Sequence, residues 1–218
     1  MSEPKRITID AIGSLIQAML SAAGVEQEEA RLVAAHVADA EARENRSQGL
    51  VRVAPYVKWA RQGKIVSPTR VTVERESGAT VVVSAHNGWG HVAASRTMDL
   101  CLERAARAGV CLAVVQDTNH IGRLGYYVER AAARGMIGLI ACSGNPGSAW
   151  VAPWNGIRPL FGTNPFALGF PRKDGPPIVV DLSTTQGARG NVLLAQKRGE
   201  QLPEGWAFDA AGNPTRDP

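Results

Sequence analysis

The chain has 218 residues, 44% of them hydrophobic and 20% charged, with a formal net charge of +4. That length can bury a core as one large domain or two small ones, and the usage excludes a disordered polypeptide. Lys and Arg are scattered and often stand beside Glu, so no basic stripe is available to track nucleic acid, and no apolar run reaches the length of a membrane span.

Residues 11–23 place Ile12, Leu15, Ile16, Met19 and Leu20 on one face of a helix that Gly24 stops. Residues 26–44 predict a second amphipathic helix with Ala30, Val33, Val37 and Ala40 inward. His36 falls one turn after Leu32 and reads as a partly buried structural histidine. A turn at 47–49 leads into a third helix, with Pro55 in its first turn because the ring would break an interior position. Arg52 and Tyr56 then lie within about one helical turn of each other.

After Ser67 and Pro68 the pattern becomes apolar and β-branched. Strands are predicted at 71–74, 80–84, 110–116, 136–143, 166–170 and 178–181, and helices at 91–108, 122–134 and 192–198. Alternating strands and helices, with strands too apolar to be exposed, predict an α/β core. The only boundary falls near Ser67, dividing the chain into 1–67 and 68–218. Cys101, Cys111 and Cys142 lack CxxC spacing and read as reduced, buried thiols of a cytoplasmic protein. The start, MSEPKRITID, is not a signal peptide. The last residues, GWAFDAAGNPTRDP, end on turn formers, which predicts a truncated chain with 68–218 incomplete.

Three segments can carry chemistry. TNHIGRLGYY, residues 118–127, follows an apolar strand and opens a helix, a place where α/β proteins bind ligands through free backbone amides. Its His120 suits proton exchange near neutrality, and Asp117 is close enough in sequence to orient the ring. A loop histidine capping a helix would look the same. Ser47, Gln48, Arg52 and Tyr56 form the second segment. An Arg fork matches a carboxylate and a hydroxyl can hold a neighbouring oxygen, although a capping Ser beside a solvated Arg and Tyr fits equally well. The third is the Gly162–Pro165 turn with the Asp181–Thr185 strand end, whose hydroxyls and carboxylate suit ribose or phosphate unless these are two ordinary loops. No GxGxxG follows any strand, which excludes the usual Rossmann fingerprint. His86 and His91 bracket NGWG in a turn with no Cys or carboxylate at metal spacing, so no metal site is assigned.

Taken in order, SQGLVRVAPY, AHNGWGH, TNHIGRLGYY, GTNPFALGFP, VDLSTTQGARGNV and LPEGWAFDAAGNPTRDP resemble the malate/L-lactate/ureidoglycolate dehydrogenase family. That family includes 2,3-diketogulonate reductase and the piperideine- and pyrroline-2-carboxylate reductases, and the resemblance runs from Ile7 onward. It implies a helical N-terminal segment of substrate binding and dimerisation at 1–67, followed by a non-Rossmann NAD(P)-binding domain with a mostly antiparallel sheet. It implies a homodimer that uses NAD or NADP to interconvert a small 2-oxo and 2-hydroxy carboxylic acid of malate, lactate or ureidoglycolate type. Arg52 matches the carboxylate-binding Arg, with Ser47, Gln48 and Tyr56 beside it. His120 matches the proton-exchanging His. Thr163, with Ser143 at the end of its strand, is placed on the substrate side. His120, Ile121, Gly122, Arg123, Leu124, Asp181, Leu182 and Ser183 are placed against the cofactor.

Two positions depart from the pattern. The family usually has His after the Ser, where this chain has Gln48, which cannot donate a proton at neutral pH. Imino acid reductases are expected to carry Asp near position 191, where this chain has Asn191. Both changes disfavour imine reduction and shift the proton chemistry to His120. A truncated, non-catalytic member that only binds cofactor is the remaining alternative.

Overall fold

The computed structural model describes residues 7–144 and 149–218. The first six residues, on which the reading of the N-terminus rests, lie outside them. The described chain forms two compact units, Met1–Tyr127 and Val128–Pro218.

The first unit is led by three α-helices: α1 (Ile9–Ser21), α2 (Gln27–Ala42) and α3 (Val53–Arg61). Thr8 caps α1 by accepting the Ala11 N–H, so the helix starts two residues before its apolar stripe. Glu26 caps α2 with both carboxylate oxygens, on Glu28 N and Glu29 N. Two 3-10 turns, Arg46–Gln48 and Leu50–Arg52, precede α3. Pro55 is the third residue of α3, where its missing N–H costs no helical bond. Ile16, Leu20, Val33, Val37, Val53 and Tyr56 pack with Trp89 and Val92 into one buried core. Burying a large apolar side chain is worth about 1.5–3 kcal/mol, so this cluster is what holds the helices together.

A three-stranded sheet follows in the order β1 (Thr72–Ser77), β2 (Thr80–Gly88), β3 (Leu112–Thr118). β1 and β2 are antiparallel, while β2 and β3 are parallel because helix α4 (Gly90–Ala108) carries the chain back between them. The Glu29 carboxylate, buried at the start of α2, accepts from Thr69 N at 2.6 Å and Ser67 Oγ at 2.7 Å. Residues 7–67 and this sheet therefore belong to the same unit.

Helix α5 (Gly125–Ala133) runs into the second unit, whose sheet β4 (Gly138–Ala141), β5 (Phe166–Phe170), β6 (Ile178–Leu182) is antiparallel throughout. Helix α6 (Arg189–Arg198) and a two-residue pair, β7 (Ala207–Phe208) with β8 (Pro214–Thr215), complete it. The fold is thus α/β with a mostly antiparallel sheet content, as the resemblance implied.

Two expectations change. The strands are not too apolar to be exposed: Leu112 and Val114 on β3 are 59% and 54% accessible, and Ile178 and Leu182 on β6 are exposed as well. The cysteines are free but half-buried rather than buried. Burial and the neighbouring Cys111 push the Cys101 thiol up to about 12. Among the described residues no helix is long and apolar enough to cross a membrane.

Candidate active site

In the first unit the segments flagged at 47–56 and 118–127 come together. Gly49 leaves room for Glu41, whose carboxylate accepts the Leu50 N–H at 2.6 Å and turns the chain toward α3. Any Cβ at that position would collide with the Glu41 side chain. The turn directs Arg52 back, so that its Nε donates to the Ser47 carbonyl at 2.8 Å. Ser47 is buried and its hydroxyl donates to Asn45 Oδ1 at 3.0 Å. The Oε1 of Gln48 is buried and has no hydrogen-bond partner among the described residues.

Tyr56 on α3 is 1% exposed, and its ring packs against Trp59 and Trp89 at centroid distances of 6.0 and 5.7 Å. Its hydroxyl reaches two histidines, His120 Nδ1 at 2.7 Å and His91 Nε2 at 3.4 Å. The backbone N–H of Gly122 also donates to His120 Nδ1, at 3.3 Å. His91 is the second residue of α4 and is completely buried.

The loop that carries His120 is anchored on three sides. Asn119 Nδ2 donates to the carbonyls of Asn87 at 2.7 Å and Gly88 at 3.0 Å, tying the loop to the end of β2. Arg123 N donates to His36 Nε2 at 2.8 Å, and the Arg123 guanidinium pairs with Asp39 at 2.8 Å, so α2 holds the far side. The Tyr127 hydroxyl donates to the Ile121 carbonyl. Glycine is required twice. Gly90 lies so close to the Asn119 and His120 carbonyls that a Cβ would strike them, and Gly122 sits at φ +72° against the His36 and His91 rings. Gly122→Ala is therefore expected to destabilise the protein by about 2–4 kcal/mol, from the left-handed backbone and overpacking together, measured by urea unfolding.

Burial, then the Arg52 charge, then His91, hold the His120 imidazole well below its usual value. Burial and Arg52 lower His91 to about 3. Burial leads again for His36, followed by His91, Arg123 and His120, and lowers it well below the usual range. All three rings are neutral at neutral pH. Burial raises the Tyr56 phenol, with Arg52 opposing.

Several details depart from the sequence reading. Asp117 does not orient His120; its carboxylate accepts from Ser84 Oγ at 3.0 Å on the neighbouring strand, and Tyr56 holds the ring instead. His36 is fully rather than partly buried, while His91 stands at the start of α4 as the 91–108 helix predicted. His91 follows β2 as His120 follows β3, and those strands are parallel neighbours. Arg123 and Leu124 are 5% and 2% exposed, so what they present to a ligand is backbone.

The remaining candidates lie in the second unit. Ser143, just past β4, donates to Asn164 Oδ1 at 3.4 Å. The Thr163 carbonyl accepts from Thr184 N at 3.1 Å and Thr184 Oγ1 at 3.2 Å, bringing the Gly162–Pro165 turn against the end of β6. Asp181 and Leu182 are exposed on β6, and the Ser183 hydroxyl lies 3.1 Å from that of Thr185. An exposed carboxylate beside several hydroxyls is a donor and acceptor set that fits the ribose hydroxyls of a dinucleotide.

A sequence profile of malate/L-lactate dehydrogenase matches residues 7–218. The chain belongs to the malate/L-lactate dehydrogenase family. It is similar to the (2R)-3-sulfolactate dehydrogenase (NADP(+)) of Chromohalobacter salexigens, with 39% identity over 98% of this chain and 63% of that protein. It is also similar to the Delta(1)-pyrroline-2-carboxylate reductase of Agrobacterium fabrum, with 34% identity over 100% of this chain and 63% of that protein. Malate dehydrogenase from Entamoeba histolytica superimposes with a TM-score of 0.92 at 29% identity, over 98% of this chain and 58% of that one. The chain spans about three fifths of the length of the relatives it matches. Within this family the non-Rossmann expectation and the α/β fold stand together.

Proposed function

We propose that the chain carries the substrate and proton chemistry of an NAD(P)-dependent oxidoreductase acting on a small 2-oxo or 2-hydroxy carboxylic acid. The observation that carries this reading is the joining of Arg52, Tyr56 and His120 from separate segments of one unit, with His120 held neutral. Arg52 clamps the substrate carboxylate through its planar fork, and Ser47, Gln48 and Tyr56 fix the oxygen end. His120 exchanges the proton with the substrate oxygen. The nicotinamide, when bound, supplies the hydride. In the first unit, His120 and the backbone of Ile121, Gly122, Arg123 and Leu124 are assigned to the cofactor. In the second unit, Asp181, Leu182 and Ser183 are assigned to the cofactor, and Ser143 and Thr163 to the substrate. Residues 1–67 serve substrate binding and homodimerisation, and 68–218 bind the cofactor and supply His120 and the Ser143 and Thr163 side of the substrate site. The whole protein works in the cytoplasm, without nucleic acid or membrane partners.

Cyclic imine reduction is the second reading, favoured by the 34% identity to a pyrroline-2-carboxylate reductase and disfavoured by Gln48 and Asn191. The test is NAD(P)H oxidation by the full-length protein against pyruvate, oxaloacetate, sulfopyruvate-type acids and the two cyclic imines. Turnover of open-chain acids alone is expected, and turnover of imines alone would transfer the assignment to the second reading. NADH and NADPH should also raise the melting temperature, since a ligand at about 100 times its Kd adds about 2.7 kcal/mol to the native state. A protein that binds cofactor yet turns over none of the panel would be a non-catalytic binder.

A further inference from the structure

His91 is a buried imidazole to which no role has so far been given. Its Nδ1 has no partner among the described residues, and its Nε2 faces the Tyr56 hydroxyl at 3.4 Å. A leucine would fill the same space without stranding a polar atom, so keeping a histidine there calls for a use of its nitrogen.

The hydrogen bonds around His120 permit one arrangement of protons. A backbone N–H can only donate, so the Gly122 bond makes His120 Nδ1 an acceptor. Tyr56, 2.7 Å from the same nitrogen, must therefore donate its hydroxyl proton there. The Tyr56 oxygen is left to accept, and the group facing it is His91 Nε2–H. In the neutral His120 ring the proton must then sit on Nε2. From every side the charged and titratable groups around this chain are Arg52 before α3, His36 on α2 and Arg123 in the loop.

We propose that His91 and Tyr56 are positioning residues that lock His120 in its Nε2–H tautomer, with Nε2 as the atom that meets the substrate oxygen. This rests on the proposed proton role of His120. It also changes the part of Tyr56, whose hydroxyl proton is committed to His120 rather than to substrate. With its proton on Nε2, His120 presents an N–H to the substrate oxygen while the Tyr56 hydroxyl and the Gly122 N–H keep Nδ1 an acceptor.

The experiment is nitrogen NMR of the full chain labelled with 15N-histidine, with His120 assigned through its loss in His120→Gln. The wild type is expected to show a protonated Nε2 and an unprotonated Nδ1 at His120. Tyr56→Phe keeps the aromatic packing against Trp59 and Trp89 but removes the hydroxyl that donates to Nδ1, and a mixture of tautomers is expected. On the substrate the protein turns over, Tyr56→Phe should lose about 10- to 100-fold in kcat with KM changed less than about threefold. His91→Leu should lose in the same sense, and His91→Gln, which retains a donor, should recover most of that loss. A wild-type ring protonated at Nδ1, or a Tyr56→Phe effect confined to KM, would overturn the proposal. If no substrate is turned over, the proposed function fails while the tautomer measurement still decides this one.

Discussion

His120→Ala is expected to lower kcat for 2-oxo acid reduction by about 10²- to 10⁴-fold, the usual share of a general acid or base. The ring is half-buried, held by Tyr56 and Gly122 at one nitrogen, and approached by no other proton carrier on its own loop. Gln48, which stands where the family usually has a second histidine, cannot substitute at neutral pH. The wild-type pH profile provides a second check. Burial and the Arg52 charge lower the His120 value, so its titration limb is expected on the acid side of an ordinary imidazole, below about pH 6.5. His120→Ala should abolish that limb and leave cofactor binding, read by fluorescence, close to wild type. A variant with full kcat would remove His120 from the proton step.

Arg52→Ala is expected to reduce kcat/KM by about 10²- to 10³-fold, corresponding to about 3–4 kcal/mol of lost carboxylate recognition. Most of the loss should fall on KM, because a carboxylate clamp grips ground and transition state alike. Arg52→Lys should recover little, since an ammonium is a point charge and cannot form two parallel bonds. The Lys variant separates geometry from charge in a further way. The positive charge of Arg52 helps to depress both His91 and His120, so its removal in Arg52→Ala should move the acid limb upward, whereas Arg52→Lys should keep it low. An unchanged KM in both variants would place the substrate carboxylate elsewhere.

Local signals carried the reading a long way in the helices and around the loops. The i, i+3, i+4 spacing of Ile12, Ile16 and Leu20, the Gly24 stop and the Pro55 position each act within one or two helical turns, and α1 and α3 follow them closely. The strand at Phe166–Phe170 was legible for the same reason, an apolar run between turn formers. Strand direction was not. Among the described strands only β2 and β3 pair in parallel, because pairing is settled by what lies between two strands and which sheet they join.

The candidate site divides in the same manner. The residue types at 47–56 and 118–127, and their order along the chain, were determined by the sequence alone, as was membership of the malate/L-lactate dehydrogenase family. What only the tertiary structure decided is which side chain holds which. Asp117 is three residues from His120 yet turns to Ser84, while Tyr56 is 64 residues away and makes the bond. His36 and His91 carry no local mark, and they enter the cluster because α2 and the start of α4 pack against one loop. Propensity and capping act over a few residues, whereas a buried hydrogen bond forms between whichever groups the packed core leaves facing each other.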